Sequence, residues 1–197
     1  LYLASAAAVR SVVDRTRAQT ELEGYWATAE SDAGVASSWP GLRHVAQGEG
    51  GLGQRMAAVY RSLRATHGAA ILIGADAPQI ESRQLLAAAR WLQTNRARLV
   101  IGRAADGGFW LFGGNTELSD DAWNRVDYSM PDTANDFVSA MSGSAEWKEL
   151  EELQDIDFAA DIAHVSDQLL ALNNPTAEQS RVRQLLVEIG GATRRHE

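Results

Sequence analysis

The residues that most restrict the fold are Ala69-Ala70-Ile71-Leu72-Ile73, an apolar run without alternation that stops at Gly74, Asp76 and Pro78. A strand that is apolar on both sides needs cover on both faces, the situation of a central parallel strand between two layers of helices. The flanking segments provide such helices. Met56, Val59, Tyr60 and Leu63 fall at i, i+3, i+4 and i+7 before the run, and after it Ser82 can cap a helix whose inward stripe is Leu85, Leu86, Ala89 and Leu92. Leu99-Val100-Ile101 forms the next strand and ends at GRAADGG, and Phe109-Trp110-Leu111-Phe112 follows as another. This alternation predicts an α/β fold: a three-layer α/β/α, Rossmann-like domain with a mainly parallel sheet. In it, 69–73 and 99–101 are neighbouring parallel strands joined by a right-handed crossover through 83–94.

The remaining segments fit around that unit. Leu3, Ala6, Val9 and Val13 recur at helical spacing up to about Ala18, and strands are expected at 24–29 and 43–47. The stretch 115–132 is loop-rich with at most a short helix, a helix is expected from Thr133 to Met141, and 147–153 reads as a strand or a short helix. Ile162, Val165, Leu169 and Leu172 mark a further helix, and Pro175-Thr176 separates it from a terminal one carrying Val182, Leu185, Leu186 and Ile189. The economical division is a main domain over 1–172 with a C-terminal helical appendage and frayed tail over 173–197. GEGGLG at 48–53 lacks both the P-loop ending and the dinucleotide-binding spacing, so it reads as a flexible lead into a helix whose first amides can face an anion.

Composition removes several chemistries. The absence of cysteine excludes disulfides, thiol catalysis and thiolate metal sites, and the four histidines are far apart with no HExxH spacing. Eighteen basic against 26 acidic residues give a net charge of -8, which disfavours nucleic acid as a partner. No segment approaches the roughly 18 to 20 apolar residues of a membrane span, and the first residues break into charge too early for a secretory signal. The expectation is a cytoplasmic protein without a membrane span.

Carboxylates then stand out. Asp76 and Asp106 each follow an apolar strand, and ligands of open α/β sheets bind beyond the carboxyl ends of strands. Asp155, Asp157 and Asp161 form a third acidic group. Two readings are open at this point. Converging carboxylates can hold a hard cation against phosphate oxygens, with Gly107 and Gly108 letting a ligand approach the backbone. Aspartate after a strand also serves as a turn former, bonding nearby amides. Arg55 and Arg103 have the guanidinium fork suited to an oxyanion, and equally to a surface carboxylate. Trp123, Tyr128 and Trp147 can wall an acceptor pocket or close the sheet.

Four blocks in order, QGEGGLGQRM, LIGADAPQI, IGRAADGGFWLFG and DIDFAADI, resemble a bacterial family of nucleotide-diphospho-sugar transferase-like proteins of the glycosyltransferase A fold, formerly the domain of unknown function DUF2064. The family's Gly-Thr-Asp-Cys-Pro pattern falls on Gly74, Ala75, Asp76, Ala77 and Pro78, without the threonine and cysteine. Its Pro-Ala-x-Asp-Gly-Gly-Tyr run falls on Arg103 to Phe109, and its late Asp-Val-Asp run on Asp155, Ile156 and Asp157. Its Leu-Gly-x-Arg block matches Leu52 to Arg55, and its Trp-Ser corresponds to Tyr128-Ser129.

The resemblance implies a metal-dependent glycosyltransferase that uses a nucleotide-diphosphate sugar and a small-molecule acceptor. Mg or Mn would sit on Asp76 and Asp106, with Asp106 and Asp157 as catalytic carboxylates and Arg55, Arg103, Gly107 and Gly108 around the nucleotide. Nucleotidyl transfer, or binding without catalysis, are the alternatives. The family opens with a strand and a basic glycine-containing loop, whereas this chain starts at the helix that follows them. A truncated start, or a member that has lost nucleotide-sugar affinity, is therefore expected.

Overall fold

The computed structural model describes residues 1–29, 38–141, 143, 145–156 and 160–193. Helix α1 (Tyr2–Arg17) buries Ala8, Val9 and Val12 and ends with Arg15 and Arg17, cations that suit a helix carboxyl end. Strands β1 (Tyr25–Thr28) and β2 (Arg43–Ala46) follow and pair in parallel, Tyr25 opposite Arg43. Helix α2 (Leu52–His67) starts where the Gln54 side chain accepts the Gly51 N–H at 3.0 Å. It stops at Gly68, whose φ of +81° is reached without strain only by glycine. Then come β3 (Ala70–Ile73), α3 (Ser82–Leu92), β4 (Arg98–Arg103), β5 (Phe109–Gly114), α4 (Asp120–Asn124), α5 (Thr133–Met141), β6 (Glu146–Glu149), α6 (Asp161–Ala171) and α7 (Ala177–Thr193).

The main sheet has the order β3-β5-β4-β6 and is mixed, which corrects the expected mainly parallel sheet. Strand β5 is antiparallel to both β3 and β4, and only β4–β6 is parallel within this sheet. The connection 104–108 between β4 and β5 is a tight turn, and a parallel partner would need a crossover of about a dozen residues or more. The strands at 69–73 and 99–101 are therefore not neighbours. They run in the same direction, but β5 lies between them, with Gly114 opposite both Ala70 and Leu99. Strand β3 is also less covered than its composition predicts: Ile71, Leu72 and Ile73 are half-buried.

Helices cover both faces of this sheet. On one, Tyr60, Phe112, Trp123 and Phe137 form an aromatic core with α2, α4 and α5. On the other, Val9, Val12, Leu85, Leu92 and Leu111 pack α1 and α3 against the strands. Helices α6 and α7 close over α1 through Val165, Leu169, Val182 and Leu186. A register shift between Gly102 and Arg103 makes Trp110 an extra residue in β5. The bulge sends Phe112 into the aromatic core and Trp110 to the opposite one, although simple alternation would place them on the same face. Among the described residues, no helix is long and apolar enough to cross a membrane.

Candidate functional site

A cavity of about 1460 Å³ is lined by residues of β1, of β3 and of the segment that follows β3. Four separate parts of the chain contribute polar or glycine positions to its lining: Gly74 to Asp76 after β3, Asp106 and Gly108 in the β4–β5 turn, Arg55 in the first turn of α2, and Tyr128, Ser129 and Thr133 before and at the start of α5. Asp155 also lines it.

Local chemistry positions each of these. The Gly74 N–H donates to the Trp110 carbonyl at 2.9 Å, and the Ser5 hydroxyl donates to the Ala75 carbonyl at 2.7 Å, so the segment carrying Asp76 is tied to β5 and to α1. Asp106 sits in a turn of its own making, its Oδ1 accepting the Gly108 N–H at 2.8 Å. Gly107 has φ +93°, and its carbonyl accepts the Ala134 N–H at 2.8 Å, which docks the turn on the start of α5. Arg55 donates through Nε to the Gly50 carbonyl at 2.9 Å. The Tyr128 hydroxyl donates to the Trp123 carbonyl at 3.0 Å, and burial pushes its pKa up to about 12, so it stays a neutral hydrogen-bonding group. Ser129 has φ +63°, the one positive value of a non-glycine residue among those described. The segment around it is fixed by Thr133, whose hydroxyl accepts from Met130 N–H and donates to the Asp127 carbonyl, both at 2.9 Å.

The structure thus brings Asp76, Asp106, Gly108 and Arg55 to one cavity. Arg103 and Gly107 are not among the residues that line it. Arg103 points at β6 and α5, pairing with Glu149 at 3.2 Å and donating to Asn135 at 3.0 Å. Asp157 lies outside the described residues. Ser129 and Thr133 are lining residues that sequence reasoning did not assign a role, although Tyr128-Ser129 had matched a family motif. Among the described residues, no three His, Asp or Glu side chains converge in a way that could hold a metal ion.

Residues 8–130 match the model of a family described as an uncharacterized protein conserved in bacteria, DUF2064. The chain belongs to this family. The DUF2064 match includes Arg55, Asp76, Asp106 and Ser129 and stops before Asp155. The chain also superposes on the crystal structure of a putative nucleotide-diphospho-sugar transferase from Desulfovibrio desulfuricans, with a TM-score of 0.69 at 18% identity, over 95% of this chain and 84% of that one. At that identity the likeness is one of fold. No curated protein matches the sequence.

Proposed function

We propose that this DUF2064 member binds a nucleotide-diphosphate sugar in this cavity, beside Asp76 and Asp106, and transfers the sugar to a small acceptor. The observation that carries the reading is that Asp76 and Asp106, 30 positions apart in the chain, line one cavity. The likeness in fold to a putative nucleotide-diphospho-sugar transferase supports it. In the reaction the bond between the sugar and the diphosphate oxygen breaks, and a bond from the sugar to the acceptor oxygen forms. The acceptor proton passes to a carboxylate.

Asp76 and Asp106 are the residues that would hold Mg or Mn. Two carboxylates are a partial ligand set, which fits an ion completed by substrate phosphates rather than one caged by protein alone. When bound, such an ion stabilises negative charge on the departing diphosphate. Arg55 would add a guanidinium donor to the phosphates. Gly108 lines the same cavity, with its N–H held by Asp106.

Calorimetric titration with uridine- and guanosine-diphosphate sugars, across Mn and Mg concentrations, tests this. The wild type should bind more tightly with the ion, and D76N and D106N should each lose that gain while keeping the wild-type circular dichroism. If both folded variants keep the full gain, the two-aspartate site is wrong. Absence of any nucleotide or metal effect would instead favour a fold retained for binding something else. Product analysis distinguishes sugar transfer from nucleotidyl transfer by which bond is cut.

A further inference from the structure

Ser129, at φ +63°, holds a backbone conformation that costs any residue with a Cβ free energy. Such a residue persists only where its surroundings over-determine it, and it is found most often where a ligand is handled. Ser129 is fixed from both sides. Before it, the Tyr128 hydroxyl donates to the Trp123 carbonyl at 3.0 Å, and the Tyr128 ring lies directly against Gly53, where a Cβ would overlap it. After it, the Thr133 hydroxyl accepts the Met130 N–H and donates to the Asp127 carbonyl, both at 2.9 Å, and the Thr133 N–H donates to the Met130 carbonyl at 3.0 Å. Pro131 sets its own φ and seats its carbonyl against Gly107, whose own carbonyl accepts the Ala134 N–H at 2.8 Å. The stretch that holds Ser129 is therefore docked on the turn that carries Asp106.

Hydroxyl chemistry narrows what this position can do. Tyr128, Ser129 and Thr133 all line the cavity together with Asp106 and Gly108. The hydroxyls of Tyr128 and Thr133 are committed to backbone partners. Ser129 is exposed, and among the described residues none bonds its hydroxyl. A position needed only for its turn would be served at lower cost by glycine, and the hydroxyl is what glycine lacks. A neutral hydroxyl both donates and accepts, which suits another hydroxyl, whereas phosphate oxygens are met best by charged donors. We infer that Ser129 is a sugar-binding residue, held in the left-handed conformation so that its hydroxyl exchanges a hydrogen bond with a hydroxyl of the sugar carried on the nucleotide diphosphate. The inference rests on the nucleotide-sugar reading and deepens it: Asp76, Asp106 and Arg55 serve the diphosphate, and the 127–133 stretch serves the sugar.

Two substitutions separate the hydroxyl from the backbone. S129A removes the hydroxyl and keeps the strained φ, and S129G removes both. Calorimetric titrations in the presence of Mn compare uridine and guanosine diphosphates with the corresponding nucleotide sugars, for wild type and both variants, and urea unfolding reads stability. Both variants should bind the bare diphosphates as wild type does and the nucleotide sugars about 10-fold more weakly, the loss of one neutral hydrogen bond. S129G should unfold at a urea midpoint equal to or above that of wild type, because relief of the left-handed strain exceeds the extra entropy glycine loses on folding. Affinity falling while stability holds or rises is a result that a merely structural serine would not give. The inference is overturned if both variants keep the wild-type affinity for nucleotide sugars, if they lose affinity for the bare diphosphates to the same extent, or if S129G unfolds at lower urea than wild type. Each of those outcomes leaves the nucleotide-sugar reading standing, since the wild type still binds. A wild type that binds no nucleotide sugar overturns that reading and the inference with it.

Discussion

Replacing Gly107 by alanine isolates what holds the Asp106 turn in place. Gly107 combines φ +93° with a tight fit: a Cβ there would overlap the Pro131 carbonyl. The positive φ costs an L-residue about 1 to 2 kcal/mol. Moving the turn off Pro131 also forfeits the Ala134–Gly107 hydrogen bond, about 1 kcal/mol more. The expected loss is therefore about 2 to 3 kcal/mol, which at a urea slope of about 2 kcal/mol/M lowers the unfolding midpoint by about 1 to 1.5 M. Two glycines serve as controls. Gly68 has φ +81° with open space around it, so G68A should show the backbone cost alone. Gly108 has no positive φ, and its Cβ would meet only the end of the Asp106 side chain at 3.1 Å, so G108A should be nearly neutral to stability. Urea unfolding followed by tryptophan fluorescence ranks the three. If G107A is no less stable than G68A, the contact with Pro131 does not clamp the turn and this account of Asp106 fails.

Two further outcomes follow from the core. Phe112 touches Tyr60, Trp123 and Phe137 with ring centroids 5.5, 5.5 and 4.8 Å away, so F112A should cost about 3 to 5 kcal/mol in chemical denaturation; a loss under about 1 kcal/mol would remove it from the centre of the core. Burial raises the Tyr60 pKa from 10 to about 12, against smaller pulls from Arg64 and Thr116. Its contribution is complete below pH 10 and is lost as pH rises toward 12, at up to about 1.4 kcal/mol per pH unit. Y60F lacks the 2.6 Å hydrogen bond to the Thr116 carbonyl and starts less stable at pH 7, but its gap to wild type should narrow between pH 10 and 11.5 in urea titrations; parallel curves would contradict the burial of this phenol.

The elements were largely legible because each rests on a local pattern. The stripe Met56, Val59, Tyr60 and Leu63 lies in α2, Leu85 to Leu92 in α3, and the Thr133 to Met141 expectation matches α5. Strand direction was less accessible. Apolar character says that β3, β4 and β5 are covered and nothing about which way each runs. The tight 104–108 turn carried that information, and reading its length as a hairpin would have put β5 antiparallel beside β4.

The cavity lining was legible in part for the same reason. Asp76 and Asp106 share the pattern of aspartate after an apolar strand, and both reach the cavity. Arg103 and Gly107 carry equally suggestive chemistry, yet the bulge and the docking of the turn on α5 aim Arg103 at Glu149 and Gly107 at Pro131. Residue type sets what a side chain can bond; the path of the backbone sets what it meets. Asp106 shows the two acting together, because the Oδ1 that shapes the turn by taking the Gly108 N–H belongs to the same carboxylate that the cavity exposes. A turn-forming aspartate held this way loses little freedom when it meets a cation, so its structural use and its proposed ligand use support each other.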